Sequence, residues 1–474
     1  MKAEDFITQI KNGKIDVVEH TKKVIEECKK INKEYNYFNV ICEKEAIEQA
    51  KKVKKDPSGK LAGLPVSVKD CICVKGVDST AGSRILKGYK PTFDATVIER
   101  VKKEGGIIIG KTSQDEFGFG GFSVNVGIDY KIPLNPFDKK RACGGSSGGS
   151  GGITQKVDFP HVSLGESTGG SIVNPASFCG VIGLCPTYGR VSRHGLLDYG
   201  NSLDKIGPMA KNIEDVALVM EVIAGKDENE STCLDEPVDD YSKQANIDIS
   251  GMKIGIIKEG FRKGTDKEIE KKIKEKTKEL EKAGAEVDEI SLKTSIDYGL
   301  PTYYMIGTSE ASTNLARYCG MRYGKHEKLE GSFNDYFKKV RSRNLGKEVK
   351  RRIMLGTFAR MAGYRDAYYL KAAKIRTKII EEYKKAFKKY DILICPTVPI
   401  LPPNFDDIKK LSVVQNYMID VLTVGPNLAG LPHMNVPIGF EKDGAGVELP
   451  VGMMLIADHL DENSLIRLGS ALLK

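Results

Sequence analysis

The sequence predicts an α/β/α sandwich built around a large mixed, mostly parallel sheet. Three observations carry this. Six short runs rich in β-branched residues, "LAGLPVSVKD", "GGIIIGKT", "HVSLGES", "MKIGIIKEG", "EVDEISL" and "YDILICPTVPI", are each bounded by Gly, Pro or Asp, as buried strands are. Stretches with apolar residues at helical spacing separate most of them, and such alternation places helices on both faces of a sheet. The 474 residues are 40% apolar and 29% charged with both signs interspersed, the composition of a globular chain with a large core.

Along the chain, "FITQIKNGKIDVVEHTKKVIEECKKI" reads as two helices, part of an N-terminal helical segment at about 1–55 that wraps a domain edge. The strands follow, and residues 1–474 are expected to form one domain. The polar, acidic stretch "KDENESTCLDEPVDDYSKQAN" is taken as an exposed connection within it. The first thirty residues lack the charged, apolar and small-residue order of a secretory signal, and no apolar run approaches the ~20 residues that span a bilayer. These features give the expectation of a cytoplasmic protein with no membrane contact. The net charge of +9 is spread over helix faces such as "KEIEKKIKEKTKELEKAG", where acidic residues interleave with Lys, the pattern of a solvated helix. None of the ten cysteines forms a C-x-x-C pair, and Cys71-Ile72-Cys73 has the wrong spacing for a metal knuckle, so the cysteines are read as small buried side chains and no metal site is expected.

"GGIIIGKT", Gly105 to Thr112, fits the G-x-x-x-x-G-K-[ST] phosphate-loop pattern. Ile107, Ile108 and Ile109 prefer an extended strand to a tight turn, and the phosphate reading is set aside. "ACGGSSGGSGG", Ala142 to Gly152, is by composition either a flexible tether or a loop whose backbone approaches something closely. A second Gly-Gly-Ser turn in "HVSLGESTGGSIVNPASFCG", between an apolar run and a helix start, favours the loop and a site.

Lys69, Ser146 and Ser171 are the chemistry-bearing residues of these stretches. A serine hydroxyl becomes a nucleophile only when a base takes its proton, and that base is a histidine or a neutral lysine. None of the six histidines, at 20, 161, 194, 326, 433 and 459, stands in a hydrolase motif. A lysine at the end of a buried strand loses the hydration of its charged form and can serve instead. Gly169 and Gly170 let successive backbone N–H groups converge beside Ser171, as an oxyanion hole requires.

"GLPVSVKD", "GGSSGGS" and "STGGSI", in this order, resemble the amidase signature family over most of the chain. The resemblance implies a Ser–Ser–Lys triad that cleaves carboxamides through an acyl-enzyme: Ser171 as nucleophile, Ser146 bridging on a cis peptide, Lys69 as base, and the amides of Thr168, Gly169, Gly170 and Ser171 as the oxyanion hole. Within the family, "DEFGFGG", "PTYYMIGTSEASTNLARY", "GKEVKRRIMLGTF" and "NLAGLPHMNVPIG" are similar to the glutamine-hydrolysing A subunits of tRNA-dependent glutamyl/aspartyl amidotransferases. That likeness implies glutamine as substrate, held by Tyr303, Arg352 and Asp420. It further implies B and C partner subunits, Glu-tRNA or Asp-tRNA bound mainly through B, ATP and Mg in B, and no cofactor in this chain. Arg352 and Asp420 would match the carboxylate and ammonium of free glutamine.

The common family form is close to "GSDTGGSIR.PA...GLKPT"; here Ser167, Val173 and Cys185 stand in place of its Asp, Arg and Lys. Losing two paired charges together strands neither in the interior, so the change reads as a coordinated variant. Two alternatives are a stand-alone amidase of the same fold acting on a more apolar amide, and an inactive subunit kept for assembly. Arg352 with Asp420 argues against the first, and the intact triad against the second.

Overall fold

All six runs read as strands are strands in the computed structural model, which describes residues 1–473. In chain order the strands are β1 (Phe38–Ile41), β2 (Pro65–Lys69), β3 (Ile107–Thr112), β4 (Val162–Ser167), β5 (Ile182–Cys185), β6 (Lys205–Ala210), β7 (Lys253–Ile257), β8 (Glu286–Ile290), β9 (Ile392–Pro396), β10 (His433–Lys442) and β11 (Glu448–Ala457). They form one sheet in the order β1-β3-β2-β4-β6-β5-β10-β11-β9-β7-β8. Every residue of β2, β3, β4, β5, β6 and β9 is buried, so helices cover both faces.

The sheet is mixed, as expected, but it is not mostly parallel. Parallel pairing is confined to two blocks, β3-β2-β4 and β9-β7-β8, and the pairs between and outside them are antiparallel. The central hairpin β10-β11 needs only a short connection, Asp443–Val447, whereas helices link the parallel strands. The strands that create the antiparallel centre are the ones the sequence hides: β5 and β6 carry Gly183, Gly207 and Pro208, and β10 and β11 carry Pro437 and Pro450.

The N-terminal segment holds the two expected helices, Ala3–Lys11 and Val17–Tyr35, then β1 and a third helix, Glu43–Lys55. Asp16 caps the second helix, its Oδ1 accepting from Val18 N at 2.9 Å and Glu19 N at 3.2 Å. The acidic connection at 226–246 is largely exposed and is tied down by Arg190, which donates to the Tyr241 hydroxyl (2.9 Å) and the Pro237 carbonyl (2.6 Å).

The Gly/Ser run is not a tether: residues 143–147, with Ser146, form the loop and the rest of the run enters a helix. Gly148–Lys156 is a helix despite the low helical propensity of glycine. Close packing explains the composition: a Cβ on Gly152 would lie 2.1 Å from Tyr37 Cε1, and one on Gly149 2.5 Å from the Ser113 carbonyl. "GGIIIGKT" forms β3 and cannot cradle a phosphate, since Lys111 is buried and donates to Ser79 Oγ (2.8 Å) and the Asp70 carbonyl (3.2 Å). Eight of the ten cysteines are buried and all ten are free. Among the described residues, no helix is long and apolar enough to cross a membrane.

Candidate active site

Lys69 ends β2, and Glu166 stands near the end of β4, the adjacent parallel strand in the register Val66↔Val162, Ser67↔Ser163, Val68↔Leu164. The carboxyl ends of parallel strands are where open α/β sheets place their ligands. Lys69 is fully buried, and its Nζ donates to Ser146 Oγ at 2.7 Å. The Gly145–Ser146 peptide is cis. Ser146 follows a turn through Gly144 (φ 73°), and its carbonyl accepts from Asp115 N at 3.2 Å. Ser171 lies beside this segment, its carbonyl accepting from Ser147 N at 3.2 Å. The Ser171 hydroxyl forms no hydrogen bond among the described residues, so the structure joins Lys69 to Ser146 directly and leaves the second serine free to meet a ligand.

Residues 168–171 link β4 to the helix Val173–Cys179. The backbone N–H groups of Thr168, Gly169, Gly170 and Ser171 have no acceptor among the described residues, while the Thr168 carbonyl is held by Asn427 Nδ2. Four open donors on one turn are what a developing oxyanion needs. The glycines answer to crowding here: a Cβ on Gly169 would sit 3.1 Å from Tyr303 Cζ, and one on Gly170 2.4 Å from Thr423 Oγ1. Gly170→Ala is therefore expected to displace the turn and lower kcat by about 100-fold or more, the scale of losing one oxyanion donor. Steady-state kinetics with a melt to verify folding checks this; a rate within threefold of wild type would show that the turn is not used.

Two of the three residues expected to hold glutamine, Tyr303 and Asp420, border this turn, while Arg352 reaches it through Tyr199, whose ring centre lies 6.5 Å from that of Tyr303. Tyr303 packs on Gly169. Asp420 Oδ1 lies 3.1 Å from the position of a Cβ on Gly170 and 3.7 Å from one on Gly121. Burial pushes the Asp420 carboxyl up to about 7, against the opposing pull of Arg352. Arg352 is buried at the inner end of a cavity of about 680 Å³ that Gly121, Tyr304, Glu348 and Tyr417 also line. Its guanidinium sits 5.0 Å from the Tyr304 ring centre, 5.1 Å from Phe119 and 5.2 Å from Tyr417, its Nη1 donates to the Tyr199 hydroxyl at 3.1 Å, and its Nε donates to Glu348 Oε1 at 2.9 Å. Arg352 is thus already half-neutralised, with Nη2 alone without an acceptor among the described residues. A planar cation stacked between rings keeps its orientation where a lysine would not.

Three participants escape the sequence reading. Glu348 and Tyr199 position Arg352; the i,i+4 spacing of Glu348 and Arg352 in "KEVKRR" was a usable signal for the first, and nothing in the sequence marks the second. The third is Glu166, whose Oε2 accepts from Lys69 Nζ at 2.8 Å; it stands where the common motif has Ser, and that departure was the signal. Ser167, Val173 and Cys185 are buried, and all three are neutral residues, so the altered positions strand no charge. No catalytic Ser–His pair competes: Ser67 Oγ meets His161 Nε2 at 2.8 Å in the interior, but His161 Nδ1 has no partner to orient the ring.

Known proteins are similar to this chain along nearly its whole length. The chain is 42% identical over 468 residues to the A subunit of the glutamyl-tRNA(Gln) amidotransferase of Rippkaea orientalis, covering 98% of this chain and 95% of that one. It is 43% identical over 474 residues to the first A subunit of the Clostridium acetobutylicum enzyme, covering 99% and 96%. The crystal structure of the A subunit of the Thermotoga maritima glutamyl-tRNA(Gln) amidotransferase superposes with a TM-score of 0.80 at 33% identity, over 100% of this chain and 94% of the other. The amidase family profile matches residues 19–466, and the chain belongs to that family.

Proposed function

We propose that this chain is the glutamine-hydrolysing A subunit of a glutamyl-tRNA(Gln) amidotransferase, releasing ammonia for the transamidation of mischarged tRNA. The observation that carries the proposal is a buried carboxyl, Asp420, set against the open N–H groups of residues 168–171, with a buried cation, Arg352, near enough for its charge to act on that carboxyl. Free glutamine offers a carboxylate and an ammonium at one end and a carboxamide at the other. With the carboxamide carbon against Ser171 Oγ, its oxygen would enter the donor turn as Ser171 attacks. The Ser171 proton would pass through Ser146 toward Lys69 and return to the nitrogen of the tetrahedral adduct, so that ammonia leaves as the C–N bond breaks and a γ-glutamyl ester remains for water to hydrolyse. The high identity to the two relatives over nearly their full lengths supports the same role here. B and C subunits, the charged tRNA and an ATP–Mg site in the B subunit complete this proposal; Asp-tRNA is the other acceptor it admits.

Asp420 supplies the test. A carboxyl with a value near 7 is neutral below that pH and cannot match an ammonium, so acid should weaken glutamine selectively. The ratio of kcat/KM for glutamine to that for propionamide is expected to fall about tenfold per pH unit below pH 7, because propionamide presents no ammonium. Asp420→Asn should flatten the ratio. A ratio independent of pH in wild type, or a wild type that prefers the neutral amide, would return the chain to the stand-alone amidases.

A further inference from the structure

Lys69 Nζ has three hydrogen-bond acceptors: Ser146 Oγ at 2.7 Å, the Glu166 carbonyl at 2.8 Å and the Glu166 carboxylate Oε2 at 2.8 Å. An ammonium donating to three acceptors has no lone pair left, so in this state it cannot take a proton from Ser146. Of the three acceptors, only the carboxylate can remove a proton from Nζ. Lys69 and Glu166 are both buried, with side chains 0% and 4% exposed, so the carboxylate is the proton's nearest destination and solvent a remote one. The Glu166 carboxylate is itself fixed, since Thr168 Oγ1 donates to its other oxygen, Oε1, at 3.0 Å.

We infer that Glu166 is the terminal proton acceptor of the site, a positioning residue that makes Lys69 basic by taking its proton through the Lys69 Nζ–Glu166 Oε2 contact. This rests on the triad reading above and extends it by one group. As Ser171 Oγ bonds to the carboxamide carbon, the C=O π pair moves onto the oxygen among the amides of residues 168–171. The Ser171 proton goes to Ser146 Oγ, the Ser146 proton to Lys69 Nζ, and one Nζ proton to Glu166 Oε2. Charge balances: the oxyanion gains the negative charge that Glu166 gives up, and Lys69 remains an ammonium. When the C–N bond breaks, the same proton returns along the chain to the leaving nitrogen, ammonia departs, and the carboxylate is restored. Water repeats the cycle on the ester. The pair thus carries its spare proton inside the protein, and neutral-pH activity does not require Lys69 to lose one to solvent.

The other titratable groups around the pair do not take this part. Cys71 Sγ, 4.0 Å from Glu166 Oε2, and the Cys185 thiol on β5 are raised by burial, and Asp204, just before β6, is also pushed up by burial and is already engaged by the Tyr199 and Gly200 N–H groups. Tyr199, whose ring closes the far side of Gly118, is likewise raised by burial. On β3, Lys111 faces Asp70 at 3.8 Å, and on β6 Lys205 donates to the Leu431 carbonyl. Asp115, pushed up to about 6 by burial, titrates in the working range and remains in every variant below.

The experiment measures kcat for propionamide and for glutamine from pH 5.5 to 9 in the full chain with its co-purifying subunits, for wild type, Glu166→Gln, Glu166→Ser and Glu166→Asp, each with a melting curve. Glu166→Gln keeps an acceptor for Nζ but cannot take its proton. The ratio of its kcat to that of wild type should be at most about 0.01 at the acid end and climb tenfold per pH unit over at least two units, because Lys69 must now shed a proton to solvent. Taking the ratio cancels Asp115, whose surroundings do not include the Glu166 charge, and Glu166→Asp, which keeps that charge, reports any shift of Asp204. Glu166→Ser, which restores the residue of the common motif, tests the same point in a second background, and either variant that stays folded at the assay temperature suffices. Glu166→Asp should give a flat ratio. A flat ratio for Gln and Ser, or rates equal to wild type, would mean that Glu166 only holds Lys69 in place and would overturn the inference. Should wild type cleave propionamide but ignore glutamine, the proposed substrate fails while the relay is still read on the neutral amide.

Discussion

Ser171→Ala is expected to lower amide hydrolysis by at least about 10⁴-fold while leaving the melting temperature unchanged, because it removes the nucleophile and no hydrogen bond of the resting fold. Lys69→Ala should be nearly as damaging to the rate, since groups that act as a unit do not add, and the Ser171/Lys69 double variant should be no slower than either alone. The two single variants part company in stability. Lys69 is the buried partner of Glu166, and removing one half of a buried ion pair costs about 3–5 kcal/mol, so Lys69→Ala should melt well below Ser171→Ala. Kinetics and calorimetry on the three variants check both halves. A Ser171→Ala rate within tenfold of wild type, or a double variant far slower than both singles, would refute the shared role.

The second large effect is at Arg352. Simple truncation confounds two losses, because it also takes from the buried Glu348 one of its two guanidinium partners and leaves it only the more exposed Arg351. Replacing both, Arg352→Gln with Glu348→Gln, removes the pair without stranding a charge. The double variant should lose about 2–4 kcal/mol in kcat/KM for glutamine, roughly thirty- to a thousandfold, as the substrate carboxylate loses its fork of donors. Propionamide has no carboxylate, so its kcat/KM should move less than threefold. Ammonia release from both amides is the assay, and equal losses on the two would remove Arg352 from substrate recognition.

Which parts of this molecule could be read beforehand follows a physical division. β2, β3 and β4 were legible because strands buried on both faces spell continuous β-branched runs. β5, β6, β10 and β11 were not, because their Gly and Pro residues answer to neighbours that local pattern cannot show: Gly207 lies with its missing Cβ 2.0 Å from the Leu184 carbonyl, and Gly183 with its own 2.8 Å from Ala176 Cβ. The helix Gly148–Lys156 was hidden for the same reason, its composition being set by Tyr37 and Ser113 from elsewhere in the chain. Lys69, Ser146 and Ser171 were readable because their chemistry demands fixed residue types in short motifs. Glu166, two residues from the turn it serves, was overlooked because its meaning depends on Lys69, 97 positions away in sequence and 2.8 Å away in space.

The place of β10 and β11 bears on how the chain is made. Residues 433–457 fill the middle of the sheet, between β5 on one side and β9 on the other, yet of all its strands they are the last that a ribosome delivers. Until they emerge, the block ending in β5 and the block ending in β9 each present an open edge at the site of the future junction, a template for wrong partners. At ordinary synthesis speeds the final stretch takes roughly two to eight seconds, long on the scale of collapse and strand pairing. The nascent protein must therefore hold two half-sheets apart through that interval and close them with this hairpin, so a chain cut short before residue 433 loses the keystone of the sheet rather than an ornament.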